Sequence, residues 1–219
     1  MHASPLRGLY LVTPNWDDTA RLLAATEAAL TGGAALVQYR HKDASAALRM
    51  EQGAALLALC RRYRVPLVIN DHLDLCLVLG ADGVHVGGLD AGVAQARAVL
   101  GPGKIVGASC YGDLALARAA RRDGASYAAF GGFYPSPVKK YTFTTAPDLI
   151  DEALREIDLP LVVIGGMTPD NAAPLAARGA SMVAAITAVY GSADPAAAAG
   201  LFGALFASQV QPHGNRAQM

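Results

Sequence analysis

The segment VQYRHKD, residues 37–43, sets Gln38, Arg40 and Lys42 at every second position where an apolar run ends. On an extended strand that spacing turns the three side chains to one face, two of them cationic. Neighbouring cations repel unless an anion lies between them, so the pattern asks for a bound anion. Polar residues also end other apolar runs: Asn70 and Asp71 in VIND, Asp90 in VHVGGLD, Ser109 in KIVGAS. Ser136, Lys139 and Lys140 follow in YPSPVKK. Carboxylates do not bind phosphate directly. Beside lysines and an arginine they suggest Mg²⁺ bridging to a diphosphate, because that ion typically takes one or two carboxylates plus phosphate oxygens. A second anion signal is IGGMT, residues 164–168, a glycine-rich turn into a helix from Pro169. Backbone N–H groups at Gly165 and Gly166, backed by a helix N-terminus, suit a phosphate.

Plainer readings compete with these. An Asp after a strand commonly caps the next helix, and that alternative stays open for Asp71 and for Asp90, which precedes a helix beginning near Gly92. Lys140 reads as a solvated loop lysine. His41, His72 and His85 share no metal-ligating spacing, and His85, inside a buried-type strand, reads as a satisfied core histidine. No Ser/His/Asp or Cys/His constellation stands out, and Cys110 beside Ser109 reads as incidental.

These residues need a scaffold, and the apolar runs supply one. GLYLVT from Gly8, ALVQYR from Ala35, PLVIN from Pro66, GVHVG from Gly83, KIVGAS from Lys104, YAAFGGF from Tyr127, LVVIGG from Leu161 and MVAAIT from Met182 read as eight strands. Helical patterns lie between them, among them Asp17–Leu30, Ala44–Tyr63, Asp113–Asp123 and Pro169–Arg178, with caps expected at Asp17, Ser45, Asp113 and Thr168. Eight such units within 219 residues predict an α/β fold, a single-domain (β/α)8 TIM barrel. Its strands run apolar on both faces, as a covered parallel sheet requires. The alternative, an open doubly wound sheet, lacks a GxGxxG after the first strand. The barrel is expected over residues 1–208, with a polar, aperiodic tail over 209–219 read as disordered. In a barrel of this kind the strand C-termini carry the site, and the loops after strands seven and eight often cradle a monophosphate.

Composition narrows the function classes. Eighteen Lys+Arg balance eighteen Asp+Glu, so anion binding is local and nucleic acid is not an expected partner. Three cysteines (Cys60, Cys76, Cys110) without a CxxC form neither a disulfide framework nor a zinc site. No apolar run reaches the roughly 20 residues of a membrane span, and the N-terminus lacks a signal-peptide pattern, so a soluble cytoplasmic protein is expected.

Taken in order, VQYRHKD, VINDHLDLCLVLGADGVHVGGLD, IVGASC, FGGFYPSPVKK, VVIGGMTPDNA and AITAVYGSADP resemble the thiamine phosphate synthase family, from about Gly8 to about Ala207. The resemblance implies an enzyme joining a hydroxymethylpyrimidine diphosphate to a thiazole phosphate, with release of pyrophosphate and with Mg²⁺. It also implies that Gln38, Arg40, Lys42, Asn70 and Lys139 contact the pyrimidine diphosphate, with Ser109 near the diphosphate and Ser136 among the substrate contacts. Asp71 and Asp90 would hold Mg²⁺. Gly166, with the backbone of Ile186 and Thr187, would take the thiazole phosphate, while Arg40, Lys42, Ser109 and Lys139 would carry catalysis. The chain departs from the family pattern at Ser136-Pro137-Val138-Lys139, where Thr-x-Thr-Lys is usual, at Tyr39 in place of Leu or Phe, and at Thr187 in place of Ser. Two rivals remain at this level: a thiazole tautomerase of the same superfamily, and a non-catalytic phosphate-ligand binding protein. The oligomeric state is not legible.

Overall fold

Eight short strands, β1 (Gly8–Val12), β2 (Leu36–Tyr39), β3 (Leu67–Asn70), β4 (Gly83–Val86), β5 (Ile105–Tyr111), β6 (Tyr127–Gly131), β7 (Leu161–Ile164) and β8 (Met182–Ala185), pair in parallel and in sequence order. β8 closes on β1 through the register Gly8↔Met182 to Leu11↔Ala185, which makes the closed barrel that the sequence predicts. This computed structural model describes residues 6–87, 92–136 and 142–207. Asp90, Val138, Lys139, Lys140 and the 209–219 tail lie outside the described residues.

The helices on the outside of the barrel include α1 (Thr19–Thr31), α2 (Ala46–Tyr63), α3 (Leu73–Leu79), α4 (Val93–Leu100), α5 (Leu114–Arg122), α6 (Asp148–Glu156), α7 (Pro169–Ala177), α8 (Thr187–Tyr190) and α9 (Pro195–Ala207). Ser45, Asp113 and Thr168 cap α2, α5 and α7 as expected. For α1 the cap is Asp18, whose side chain accepts from the Arg21 N–H, and not the expected Asp17. Asp17 is engaged elsewhere, its Oδ1 lying 3.0 Å from His41 Nε2. Among the described residues no helix is long and apolar enough to cross a membrane.

Period-two alternation divides the strands into two faces. Outward residues such as Leu9, Leu11, Val37, Leu67 and Val163 pack under the helices in one large apolar cluster. Inward residues, among them Tyr10, Val12, Leu36, Val68, Tyr127, Val162 and Met182, fill the barrel. Each such side chain, buried in full, stabilises the fold by about 1.5–3 kcal/mol. Gly107 is needed for this filling. A Cβ there would stand 2.0 Å from Tyr127 Cζ, so its absence is what admits the tyrosine ring into the barrel.

The β2 strand ends one residue earlier than its apolar run suggests. After Tyr39 the chain is held by a side chain instead: Arg40 N–H donates to Thr13 Oγ1 at 2.7 Å, and Thr13 O–H donates to the Arg40 carbonyl at 3.0 Å. Gln38 therefore lies on the strand, while Arg40 and Lys42 lie past it. The strand alternation that predicts one common face applies to Gln38 alone.

Candidate active site

Three adjoining regions at the C-terminal ends of the strands receive the described site residues other than Arg40. The first is a charged cavity of about 210 Å³ lined by Tyr39, His41, Lys42, Arg49, Ile69, Asn70, Asp71 and His72. Lys42 is exposed, and its N–H donates to Asn15 Oδ1 at 3.3 Å. Asn15 in turn donates through Nδ2 to Asp43 Oδ2 at 2.6 Å, which ties the segment after β2 to the segment after β1. Arg49 enters from α2 and is fixed by an Nη1 donation to the Ala44 carbonyl at 2.6 Å. His41 is buried, and its Nδ1 has no hydrogen-bond partner among the described residues.

Asp71 holds a left-handed backbone, φ 62°, anchored by an N–H donation to the His85 carbonyl at 2.9 Å. Asp tolerates that region better than most residues, and such positions concentrate at functional sites. The capping alternative for Asp71 is not realised. The α3 N-cap is His72, with no side-chain cap bond, and the Asp71 carboxylate accepts from Asn70 Nδ2 at 2.6 Å instead. Among the described lining residues Asp71 brings the one carboxylate of this cavity, beside Lys42 and Arg49. That donor set fits Mg²⁺ shared with phosphate oxygens.

The second region is a cavity of about 270 Å³ whose described lining, Pro135, Ser136, Ile164–Thr168 and Ala184–Ala188, carries no charged side chain. Gly166 adopts φ 60°, and a Cβ on it would stand 2.1 Å from the Pro135 carbonyl oxygen. Both the left-handed backbone and the close approach require glycine. The turn is locked by Asn171. Its Nδ2 donates to the Gly166 carbonyl at 2.9 Å, its Oδ1 accepts from Thr168 N–H at 2.8 Å, and its own carbonyl accepts from Tyr134 O–H at 2.9 Å. Ile186 and Thr187 open α8, whose first N–H groups lack intrahelical partners. Among its described residues the cavity thus offers main-chain donors of the kind that suit a phosphate.

The third region is the barrel interior beneath the mouth. Gln38, His85 and Ser109 face inward with Tyr10, around a space of about 10 Å³, which holds one water at most. It adjoins the uncharged cavity through Ile164, which lines both, and neighbours the charged one through the register pair Asn70↔His85. His85 is satisfied, as expected, with Nδ1 2.8 Å from Tyr127 Oη and Nε2 2.9 Å from Ser109 Oγ. Burial pushes the phenols of Tyr10 and Tyr127 well above the ordinary value of 10.0, so both stay protonated. Cys110 is fully buried, and burial pushes its thiol up to about 12, which leaves it no nucleophilic role.

The structure therefore brings together Lys42, Asn70 and Asp71, then Gln38 and Ser109, then Ser136, Gly166, Ile186 and Thr187. Arg40 is buried after β2, and the described lining of these cavities does not include it. Sequence reasoning missed Arg49, Asn15, Asn171 and the two inward tyrosines. The sequence does carry the tyrosine signal, since Tyr10 and Tyr127 interrupt aliphatic strands at inward positions.

Comparison with known proteins bears on what this mouth does. The profile of the family described as thiamine monophosphate synthase matches residues 9–189. The thiamine-phosphate synthase of Janthinobacterium sp. (strain Marseille) is 63% identical over 204 residues, covering 93% of this chain and 99% of that protein. The thiamine-phosphate synthase of Thiobacillus denitrificans is 50% identical over 204 residues, covering 93% and 97%. Among solved structures, thiamine phosphate pyrophosphorylase from Pyrococcus furiosus superposes with a TM-score of 0.82 at 29% identity, covering 94% of this chain and 98% of that one. On the closed barrel, the paired cavities and these likenesses, the chain belongs to the thiamine monophosphate synthase family.

Proposed function

We propose that the protein condenses 4-amino-2-methyl-5-hydroxymethylpyrimidine diphosphate with 4-methyl-5-(2-phosphoethyl)thiazole, in the cytoplasm, giving thiamine phosphate and pyrophosphate. The observation that carries this reading is the pairing, at one barrel mouth, of a cation-rich cavity with a carboxylate and an uncharged glycine cavity. The first suits a diphosphate and the second a monophosphate. Gln38 orients the pyrimidine from the barrel interior. Arg40, Lys42, Asn70 and Lys139 hold the diphosphate, and Ser109 donates to it. Asp71 and Asp90 would hold Mg²⁺, which when bound supplies positive charge to the phosphate oxygens.

The C–O bond to the pyrimidine methylene breaks first, and its electron pair leaves with pyrophosphate. A cation stabilised by the aminopyrimidine remains. The neutral thiazole nitrogen, presented by the Gly166 and Thr187 cradle, then donates its lone pair to that methylene. No proton is abstracted at the reacting atoms, which agrees with a mouth that, among the described residues, holds cations and no activated nucleophile. Stabilisation of charge on the leaving group and alignment of the thiazole lower the barrier.

The test mixes the protein with both substrates and Mg²⁺, and follows pyrophosphate and thiamine phosphate together. Stoichiometric release of the two is expected. Isomerised thiazole without pyrophosphate would favour a tautomerase, and tight binding of thiazole phosphate without turnover would favour a binding protein.

A further inference from the structure

Four hydrogen bonds run unbroken across the barrel from Gln38 to Ser109. Gln38 Nε2 donates to Tyr10 Oη at 2.5 Å, Tyr10 Oη lies 2.6 Å from Tyr127 Oη, Tyr127 Oη lies 2.8 Å from His85 Nδ1, and His85 Nε2 lies 2.9 Å from Ser109 Oγ. The chain joins five strands, and its two ends are the residues assigned above to the pyrimidine and to the diphosphate. Tyr10 and Tyr127 are fully buried, so their hydroxyl protons must find acceptors within the chain, while Ser109 also faces a cavity of about 110 Å³.

The direction of this chain follows from counting protons. Each phenol carries one O–H. Because Tyr10 accepts from Gln38, its proton goes to Tyr127, whose own proton then goes to His85 Nδ1. Nδ1 is thereby an acceptor, so the imidazole is neutral and carries its proton on Nε2. That proton goes to Ser109 Oγ, and the serine hydroxyl is left to donate outward. At the other end the Gln38 amide has spent one N–H inward and presents Oε1 and its second N–H. Run in reverse, the chain would have Ser109 donate to His85 and turn only lone pairs toward an anion. A diphosphate at Ser109 selects the same direction as the Gln38 amide does.

We propose that Tyr10, Tyr127 and His85 are positioning residues that form a polarised relay, fixing Gln38 as an acceptor for the pyrimidine and Ser109 as a donor for the diphosphate. The relay rests on the function proposed above for the identity of the two ligands, but its direction does not. Substrate bound at one end finds the other end already oriented. The tyrosines contribute through Gln38 and Ser109 and touch no reacting atom.

The experiment has two arms. In the first, long-range ¹H–¹⁵N NMR of histidine-labelled wild-type protein reads the His85 tautomer, alone and with inorganic pyrophosphate and Mg²⁺. The neutral Nε2–H form is expected in both, and an Nδ1–H form or an imidazolium overturns the proposal. In the second, Tyr127→Phe removes one hydroxyl without changing the ring, and KM is measured for each substrate in the wild-type and Ser109→Ala backgrounds. The hydroxyl makes two bonds of the chain; weakening the substrate contact they orient by about one neutral hydrogen bond should raise the pyrimidine-diphosphate KM about three- to tenfold, with thiazole-phosphate KM unchanged. On Ser109→Ala the same substitution should change it by a smaller factor, because the share that travels through Ser109 is already lost and only that through Gln38 remains. Equal effects in both backgrounds, or on both substrates, reduce Tyr127 to packing. Failure of the protein to release pyrophosphate would sink the functional reading and leave the tautomer arm intact.

Discussion

Replacing Asp71 by Asn separates a charge from a shape. Asn ranks with Asp in tolerating the left-handed region, so the φ of 62° is kept at little cost. The α3 cap is His72, so no capping bond is lost. What changes locally is the 2.6 Å bond from Asn70 Nδ2, which goes from charge-assisted to neutral. That difference is worth about 1 kcal/mol, or a fall of about 2–4 °C in Tm for a protein of this size. The effect on chemistry is larger. A unit charge about 4 Å from a cation interacts by about 4 kcal/mol at an effective dielectric near 20, and about 1.4 kcal/mol is a factor of ten in rate. Turnover should therefore fall about 10²- to 10³-fold, while thiazole-phosphate affinity stays within about twofold. The assay pairs steady-state pyrophosphate release with calorimetric Tm and a thiazole-phosphate titration. Near-normal turnover in a variant that keeps its Tm would refute a metal role for Asp71.

Arg49→Ala should raise the pyrimidine-diphosphate KM about fivefold with thiazole-phosphate KM unchanged, the weight of roughly 1 kcal/mol for a half-buried charge contact; substrate titrations check it. Gly166→Ala places a Cβ 2.1 Å from the Pro135 carbonyl in a left-handed backbone that costs about 1–2 kcal/mol, so thiazole-phosphate KM should rise at least about tenfold and Tm should fall a few degrees. Lys139→Ala should lower kcat and kcat/KM together if its amine meets charge that develops on the leaving pyrophosphate, and a rise in KM alone would make it a ground-state anchor. Burial pushes the thiols of Cys60, Cys76 and Cys110 from 9.0 up to about 12, 11 and 12. A raised folded value stabilises the fold below pH 9 and loses that contribution as pH climbs toward 11–12, so Tm should decline over that window, and at pH 8 the native protein should resist a thiol reagent until unfolded.

The barrel was legible because parallel strands covered on both faces must be apolar throughout, and all eight runs became strands. Their ends were less so. Nothing local to VQYRHKD says that Thr13, more than twenty residues earlier, replaces the last rung at Arg40. Asp17 and Asp18 are equally good caps on paper, and the choice falls to Asp18 because His41, from another element, takes Asp17. The glycine turn after β7 was readable, since two glycines between a strand and a helix mark a backbone that needs positive φ or a close approach, and Gly166 has both. Arg49 was not, because the rotation of α2 about its axis decides whether that residue meets the mouth. The Tyr10–Tyr127 bond spans 117 positions and depends on an inward phase shared by β1 and β6, which becomes visible only once the barrel has closed.

The two halves of the mouth are exposed very differently to mutational drift. Lys42, Arg49 and Asp71 can each be lost in a single substitution, and with it one of the charges that line the first cavity. The donors of the Gly166 and Thr187 cradle belong to the main chain, and outside Gly166, where a side chain would displace the turn, no side-chain replacement short of proline deletes an N–H. Lineages that lose the condensation would therefore be expected to keep a monophosphate grip long after the chemistry has gone. In such a descendant the empty half of the mouth is open to new side chains, with a ligand already anchored beside it.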